Sequence, residues 1–467
     1  MTASFPDPAS FRDEAGRVYH VGDRVLRAIY PAGADDYVHT RDSGLLEILV
    51  DRGLLVGTTE IVTQEAAELS AKYLLEHPRL PFISYPYEWS FSALQAAALL
   101  SLDLQCTALV HNATLVDASA YNVQFDGSKP LFIDPLSLRR YREGEYWYAQ
   151  NQFCENFLNP LLLRAALGIS YNDWFRGSLE GIESVALSQL LPFRWRVRPT
   201  VFSHVVLPSL LQRYVTSRDS ARDDAFIAGG KLPKSTLTAL LRSVRSFIAG
   251  LTPKKRPTVW KTYAMANSYS AAAQAHKLQI VSDFAARLRP KMVWDMGCNT
   301  GVFSLAMLAS GAERVVGFDS DPDVVDVAFL RASTDCAKFL PLVLDAANPS
   351  PSHGWNQQER VGLDKRAAPQ ALIALALVHH LVIKDNIPLP AVLDWLIALS
   401  PTGLIELVPK GDPMVIRMLA HRQGKTFADY DQDLFERHLQ SRAHIVARHP
   451  VADSGRVVYH YDRRTGS

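Results

Sequence analysis

One run constrains the fold of this chain more than any other feature: Val293-Trp294-Asp295-Met296-Gly297-Cys298-Asn299-Thr300-Gly301. Its first residues suit a buried strand, its glycines a tight turn, and the apolar residues after Gly301 a helix. A second apolar strand then runs to Asp319. A strand, a glycine-rich turn, a helix and a second strand tipped with a carboxylate make up the ground plan of a nucleotide-bearing cofactor site.

The residues within the turn narrow the cofactor. A dinucleotide site usually needs three glycines so that backbone N–H groups can approach a pyrophosphate. Here an acidic residue, Asp295, precedes Gly297. It would repel a pyrophosphate and favour an ammonium or a sulfonium-bearing amino acid. Residues Asp295 to Gly301, with Asp319, resemble the first and second motifs of the class I S-adenosylmethionine (SAM)-dependent methyltransferases. The resemblance implies that Gly297 and Gly301 let the backbone close over the methionyl part of SAM and that Asp319 accepts hydrogen bonds from both ribose hydroxyls. Cys298 and Ser320 flank these positions and belong to the implied cofactor set. Asn299 stands where many members carry a glycine, and Asn tolerates positive φ better than other side chains.

The rest of the second half supplies strands in the order such a sheet needs. Val315 to Asp319 is followed by Phe339 to Asp345, the apolar run Ala371 to Val378, and Gly403 to Val408. Arg442 to Arg448 and Val457 to Asp462, joined by the turn Asp453-Ser454-Gly455, read as a closing hairpin. This resembles the seven-stranded, doubly wound, Rossmann-like methyltransferase sheet, an α/β fold. By the same resemblance Asp345 and Ala346 lie where the adenine amino group is met.

The chain has 467 residues, enough for two domains. Gly250 to Thr258 holds two prolines and the triplet Lys254-Lys255-Arg256, which suits an exposed linker. The expected division is 1–249, a linker at 250–258, and 259–467. Lys plus Arg total 49 against 48 Asp plus Glu, so no polyanion-binding surface is announced and no nucleic-acid partner is expected. Cys106, Cys154, Cys298 and Cys336 lie far apart without ligand spacing, which points to no metal site and a reducing compartment. Met1 to Glu14 lacks a signal-peptide core, and the apolar stretch Ala371 to Ile383 is too short to span a bilayer. The expectation is a cytoplasmic protein with no membrane partner; oligomeric state is not readable.

The first half reads as an α+β, mostly helical domain. Val18 to His20 and Arg24 to Tyr30 suit strands about a turn at Gly22-Asp23, and Ser90 to Leu102 suits a helix. Asp117, Asn122, a hairpin at Asp126-Gly127 and Asp134 follow. This block resembles the catalytic and metal-binding loops of protein-kinase-like and aminoglycoside-phosphotransferase-like folds. The resemblance implies Asp117 as the catalytic Asp and Asn122 and Asp134 as metal binders, with Arg27 where a nucleotide-anchoring lysine would stand. The glycine loop, the His before the catalytic Asp and the glycine after the second Asp are all missing. The alternative is that Asp117, Asn122 and Asp134 shape turns. Pro160, Pro192, Pro199 and Pro208 are expected to break successive helices.

Acceptor chemistry is less legible, because SAM already carries an activated methyl group and little is asked of the protein beyond placement and removal of a proton. Trp260, Tyr263 and Tyr269 are candidates for a cation–π cap on the sulfonium, Trp260 and Tyr263 also for the acceptor pocket; the alternative is that they anchor a helix on the sheet. His379 and His380 follow the fourth strand, at the sheet edge where substrates lie, and either could act as base. Glu406 and Lys410 bracket the end of the fifth strand and are expected to line the acceptor pocket or to form a surface pair. Acceptor specificity is expected in the helices before Val293, the loop Pro349 to Pro369, and a face of the first domain. The whole arrangement resembles a bacterial group of methyltransferases that includes nodulation host-specificity proteins. That resemblance says little about the substrate; the preferred acceptor is an oxygen, or less readily a nitrogen, of a small-molecule or glycan-like metabolite. A bifunctional protein with an ATP/Mg-binding first domain and a non-catalytic SAM sensor are the alternatives.

Overall fold

The computed structural model describes residues 4–216, 231–254, 270–335, 337–420, 422 and 427–463. The chain forms two compact units. The first comprises Met1–Asp126, Pro130–Arg256 and Ser352–Val361; the second comprises Gly127–Lys129, Pro257–Pro351 and Gly362–Ser467.

The first unit holds a five-stranded antiparallel sheet of β1 (Ser4–Pro6), β2 (Gly16–Val21), β3 (Arg24–Ile29), β4 (Thr59–Ile61) and β5 (Tyr73–His77), in the order β1-β2-β3-β5-β4. Leu26, Ala28 and Leu74 are its buried face. Four short strands lie later in the chain: β6 (Ala113–Leu115) pairs with β9 (Leu138–Arg140), and β7 (Val123–Asp126) with β8 (Lys129–Phe132). The helix Phe91–Val110, capped by Ser90 Oγ accepting from the Ala93 N–H, is 20 residues long and apolar enough to cross a membrane, yet it packs in the core with Ala93, Leu94, Ala97 and Ala98 buried. It lies against the helix Lys234–Ala249, where Arg245 Nε donates to Asp103 Oδ1 at 2.6 Å.

Two of the four prolines do not break helices. Pro160 and Pro208 lie inside continuous helical runs, each two residues after a π-type turn, Cys154–Leu158 and Phe202–Val206 respectively. The wide turn makes room for a ring that cannot fit the regular i→i−4 ladder. Pro199 opens a helix and Pro192 caps one, as their fixed φ favours.

The second unit is a seven-stranded sheet of β10 (Val293–Met296), β11 (Val315–Asp319), β12 (Phe339–Val343), β13 (Ala371–Ala374), β14 (Thr402–Leu407), β15 (His444–Pro450) and β16 (Val457–Asp462), ordered β12-β11-β10-β13-β14-β16-β15. The pairs from β12 to β14 are parallel, whereas β16 runs antiparallel to both its neighbours. Parallel strands covered on both faces need apolar residues throughout, and β10, β13 and β14 are buried at every position. Val293, Val315, Phe339, Ile373 and Leu404 form the core with Ile280, Val281 and Phe284 of the helix Ala271–Leu288. Fully burying a side chain such as Phe339 contributes roughly 2–3 kcal/mol. Strand order reverses between β10 and β13, which opens a crevice at the carboxyl ends of β10, β11 and β13.

Strand β13 is shorter than its apolar run suggests. Ala376 adopts φ +52°, and its N–H donates to Glu406 Oε2 at 2.7 Å instead of continuing the ladder.

Candidate functional site

The crevice contains a cavity of about 340 Å³ lined by Met296 to Thr300, Asp319, Ser320, Leu344 to Ala346, Leu375 to Leu377 and His380, among others. Its floor is the glycine turn. Gly297, Asn299 and Gly301 have φ of +85°, +48° and +79°. A β-carbon at Gly301 would stand 2.4 Å from the Phe339 ring, so this glycine is needed for both conformation and space. At the end of β11, the Asp319 carboxylate accepts backbone N–H groups, Oδ2 from Asn299 and Oδ1 from Asp321 at 3.0 Å each, with the Ser320 N–H as a further donor. These bonds fix the carboxylate at the cavity wall. Burial outweighs these bonds and raises its pKa.

The structure brings Gly297, Cys298, Asn299, Asp319, Ser320, Asp345 and Ala346 together on one cavity wall. Asp295 is placed differently from the sequence expectation. Its carboxylate is buried and accepts from Ser304 Oγ at 2.6 Å, bracing the helix Val302–Ala309 from below the turn, and it is not among the lining residues. Desolvation pushes its pKa up to about 7. The histidines also separate. His380 lines the cavity, and burial lowers its pKa to about 4, so the imidazole is neutral at physiological pH. His379 does not line it; its Nδ1 is buried with no hydrogen-bond partner, and burial depresses its pKa further. Trp260, Tyr263 and Tyr269 lie outside the described residues.

Glu406 neither lines the cavity nor pairs at the surface. It is fully buried and accepts from Lys277 Nζ at 3.0 and 3.2 Å, with Arg456 Nη1 3.6 Å away. Arg456 Nε in turn donates to Asp412 Oδ2 at 2.7 Å. Two cations and two anions are thus buried together, an arrangement stable only while all four remain. Lys277 reaches the cavity wall beside Phe303, and burial lowers its pKa despite Glu406. Lys410 lies outside the lining residues. The sequence places Lys277 in the covering helix but assigns it no role, although a signal is present: it occupies the apolar stripe Ala273, Lys277, Ile280, Val281, Phe284, where a lysine is out of place unless paired.

In the first unit, Asp117, Asn122 and Asp134 are occupied locally. Asp134 Oδ1 meets Arg27 Nη1 at 2.6 Å, Oδ2 accepts from Ser137 Oγ at 2.5 Å, and the carboxylate caps Leu136 N–H. Asp117 Oδ1 accepts from Gln152 Nε2 and the Ser119 N–H, and Asn122 Nδ2 donates to Ser137 Oγ. Among the described residues no group of three or more His, Cys, Asp or Glu side chains could hold a metal ion. The segment Ser352–Val361, expected to contribute to acceptor specificity, belongs to this unit: Glu359 Oε1 accepts from Arg12 Nη2 at 2.6 Å, Arg360 lies 4.2 Å over the Tyr121 ring, and His353 packs on Tyr87.

The seven-stranded topology, the cavity at its reversal point and the glycine turn define a class I SAM-dependent methyltransferase, an enzyme whose cofactor is SAM. The ribosomal protein L11 methyltransferase (PrmA) family profile matches residues 277–339, which span the turn and Asp319. A ribosomal protein L11 methyltransferase of Sorangium cellulosum is 36% identical over 62 residues, covering 13% of this chain and 20% of that protein. Over its whole length the chain belongs to the family of nodulation protein NoeA. It is 42% identical to NoeA of Rhizobium meliloti over 470 residues, covering 99% of this chain and 98% of the relative. Among solved structures, magnesium protoporphyrin IX methyltransferase (ChlM) of Synechocystis with bound SAH is 16% identical, covers 45% of this chain and 90% of its own, and has a TM-score of 0.30, too low to add weight.

Proposed function

We propose that the second unit, with the linker near 250–258 marking its start, transfers a methyl group to an oxygen of a small-molecule or glycan-like acceptor. Gly297 to Asn299 take the methionyl part of SAM, Asp319 the ribose hydroxyls, and Asp345 and Ala346 the adenine. When bound, SAM supplies a methyl group on a sulfonium, ready for in-line displacement. The protein's own part is to hold the acceptor in line and to accept its proton. His380 Nδ1 or Nε2 is the group proposed for the proton, since a neutral ring at the cavity wall can take it as the C–O bond forms.

The observation that carries this reading is the shared cavity wall, on which a neutral imidazole stands with the residues proposed to hold the cofactor. Calorimetric titration with SAM tests the cofactor half: Asp319→Ala should weaken binding at least 100-fold, as two charge-assisted hydrogen bonds are lost. The base is tested by turnover. His380→Ala should lower kcat by about 10²–10³ with SAM affinity retained, and the wild-type rate should show no ionisation near 6.5 attributable to this ring. An unchanged kcat in His380→Ala would remove it from the mechanism.

For the first unit, we infer a role in presenting the acceptor rather than in phosphotransfer. What supports this is the local use of Asp117, Asn122 and Asp134. Titration of the full chain with Mg-ATP should give no binding heat.

A further inference from the structure

One stretch of the first unit has an unusual charge balance. Between Glu183 and Asp219 there is no acidic residue, while Arg194, Arg196, Arg198, Arg213 and Arg218 are all basic, in a chain whose net charge is only +1. Arg194, Arg196 and Arg198 alternate with Phe193, Trp195 and Val197. Among the described residues none of these three arginines has a carboxylate partner; Arg198 lies 3.9 Å over the Trp195 ring.

The helical run that follows is apolar on two sides. Val201, Val205, Val206 and Ser209 are buried, but Phe202, Leu207, Leu210 and Leu211 on the opposite side are exposed. Phe193 is 78% exposed. A helix that is apolar all round is normally covered all round. Exposed aromatic and leucine side chains contiguous with unpaired arginines form more than the scattered apolar surface expected of a protein exterior.

We propose that the surface from Phe193 to Leu211 docks on an anionic lipid bilayer. Phe193, Phe202, Leu207, Leu210 and Leu211 enter the headgroup and acyl boundary, and Arg194, Arg196 and Arg198 meet lipid phosphates. An acidic peptide would neutralise the arginines but leave the leucine face wet, whereas an anionic bilayer satisfies both. Docking in the interface plane needs no spanning segment, so the absence of one in this region does not oppose it. The enzyme's acceptor would then be met at a membrane surface.

The test is co-sedimentation of the full-length protein with phosphatidylcholine vesicles and with vesicles also containing phosphatidylglycerol. The expected result is binding to the anionic vesicles alone, weakened by salt. The triple variant R194Q/R196Q/R198Q should lower the partition coefficient about 100-fold, given the typical worth of three arginines at such a surface. Phe193→Ser with Phe202→Ser should also weaken it by 10-fold or more, with an unchanged circular dichroism spectrum. Three outcomes overturn the proposal: no binding of the wild type to anionic vesicles, equal binding of wild type and both variants, or a change of oligomeric size in the phenylalanine variant without vesicles, which would assign the face to a second copy of the chain.

Discussion

Asp319 in the second unit ends β11 and Asp134 in the first follows β8 by two residues, yet they are held in opposite ways. Asp319 is held by main-chain N–H groups, those of Asn299, Asp321 and Ser320, and lines a cavity. Asp134 is met by a guanidinium, a hydroxyl and a backbone N–H, all from its own unit. The difference lies in charge: Asp319 is held by neutral main-chain donors, whereas Asp134 is already neutralised by a guanidinium that a ligand would have to displace. Residue type and position are therefore shared between a binding site and a turn, and the partners decide which it is.

The sharpest way to break this contrast is at Glu406, where function-bearing and structural charge meet. Glu406→Ala leaves Lys277 and Arg456 buried with one anion between them and frees the Ala376 N–H, so the full chain should lose about 3–5 kcal/mol in denaturant unfolding. A loss under about 1 kcal/mol would mean that the quartet is hydrated in solution.

Gly301→Ala comes next. Positive φ and the approach of Phe339 together should cost about 2–4 kcal/mol, and SAM binding should fail before the fold does. Retained affinity at wild-type level would show that the turn can be rebuilt around a methyl group.

Asp295→Asn works in the other direction. Its folded pKa is raised above the unfolded value, so the stability it contributes is complete below about pH 4 and declines as pH rises to about 7. The Asn variant should lack that decline and be more stable than wild type by roughly 2 kcal/mol at pH 8. Parallel stability-versus-pH curves for the two proteins would reject the placement of Asp295 as a buried, non-liganding carboxyl.

The smallest effect is expected in the first unit. Asp134→Ala should cost about 1–2 kcal/mol, through the unpaired Arg27, and leave SAM affinity unchanged. Loss of Mg-ATP binding in that variant, with binding present in wild type, would restore the phosphotransferase reading.

What the sequence disclosed and what it hid follow one physical divide. The turn from Gly297 to Gly301, the carboxyl-tipped β11 and the Asp453 turn are local: glycine, asparagine and aspartate reveal them through backbone preference. The extents of β11 and β16 are those read from their apolar residues. Lys277 and Glu406 meet across 129 residues, and that pairing leaves no local trace. It also shortens β13, since Glu406 takes the Ala376 N–H that a longer strand would have used. The prolines misled for a related reason: their consequence depends on whether the preceding turn can widen, which is set by packing. Asp117, Asn122 and Asp134 could be recognised as a set, but only their neighbours Gln152, Ser137 and Arg27 show what each carboxylate or amide is bonded to.

The division of the chain has a consequence for inheritance. Ser352–Val361 is counted with the first unit and Gly127–Lys129 with the second, so each half of the gene encodes a piece of the other's body. A recombination event at the linker would deliver a first unit without Glu359 and Arg360, and so without the partners of Arg12 and Tyr121. A cut at that point therefore separates the first unit from contacts it makes with residues encoded more than 90 positions further on.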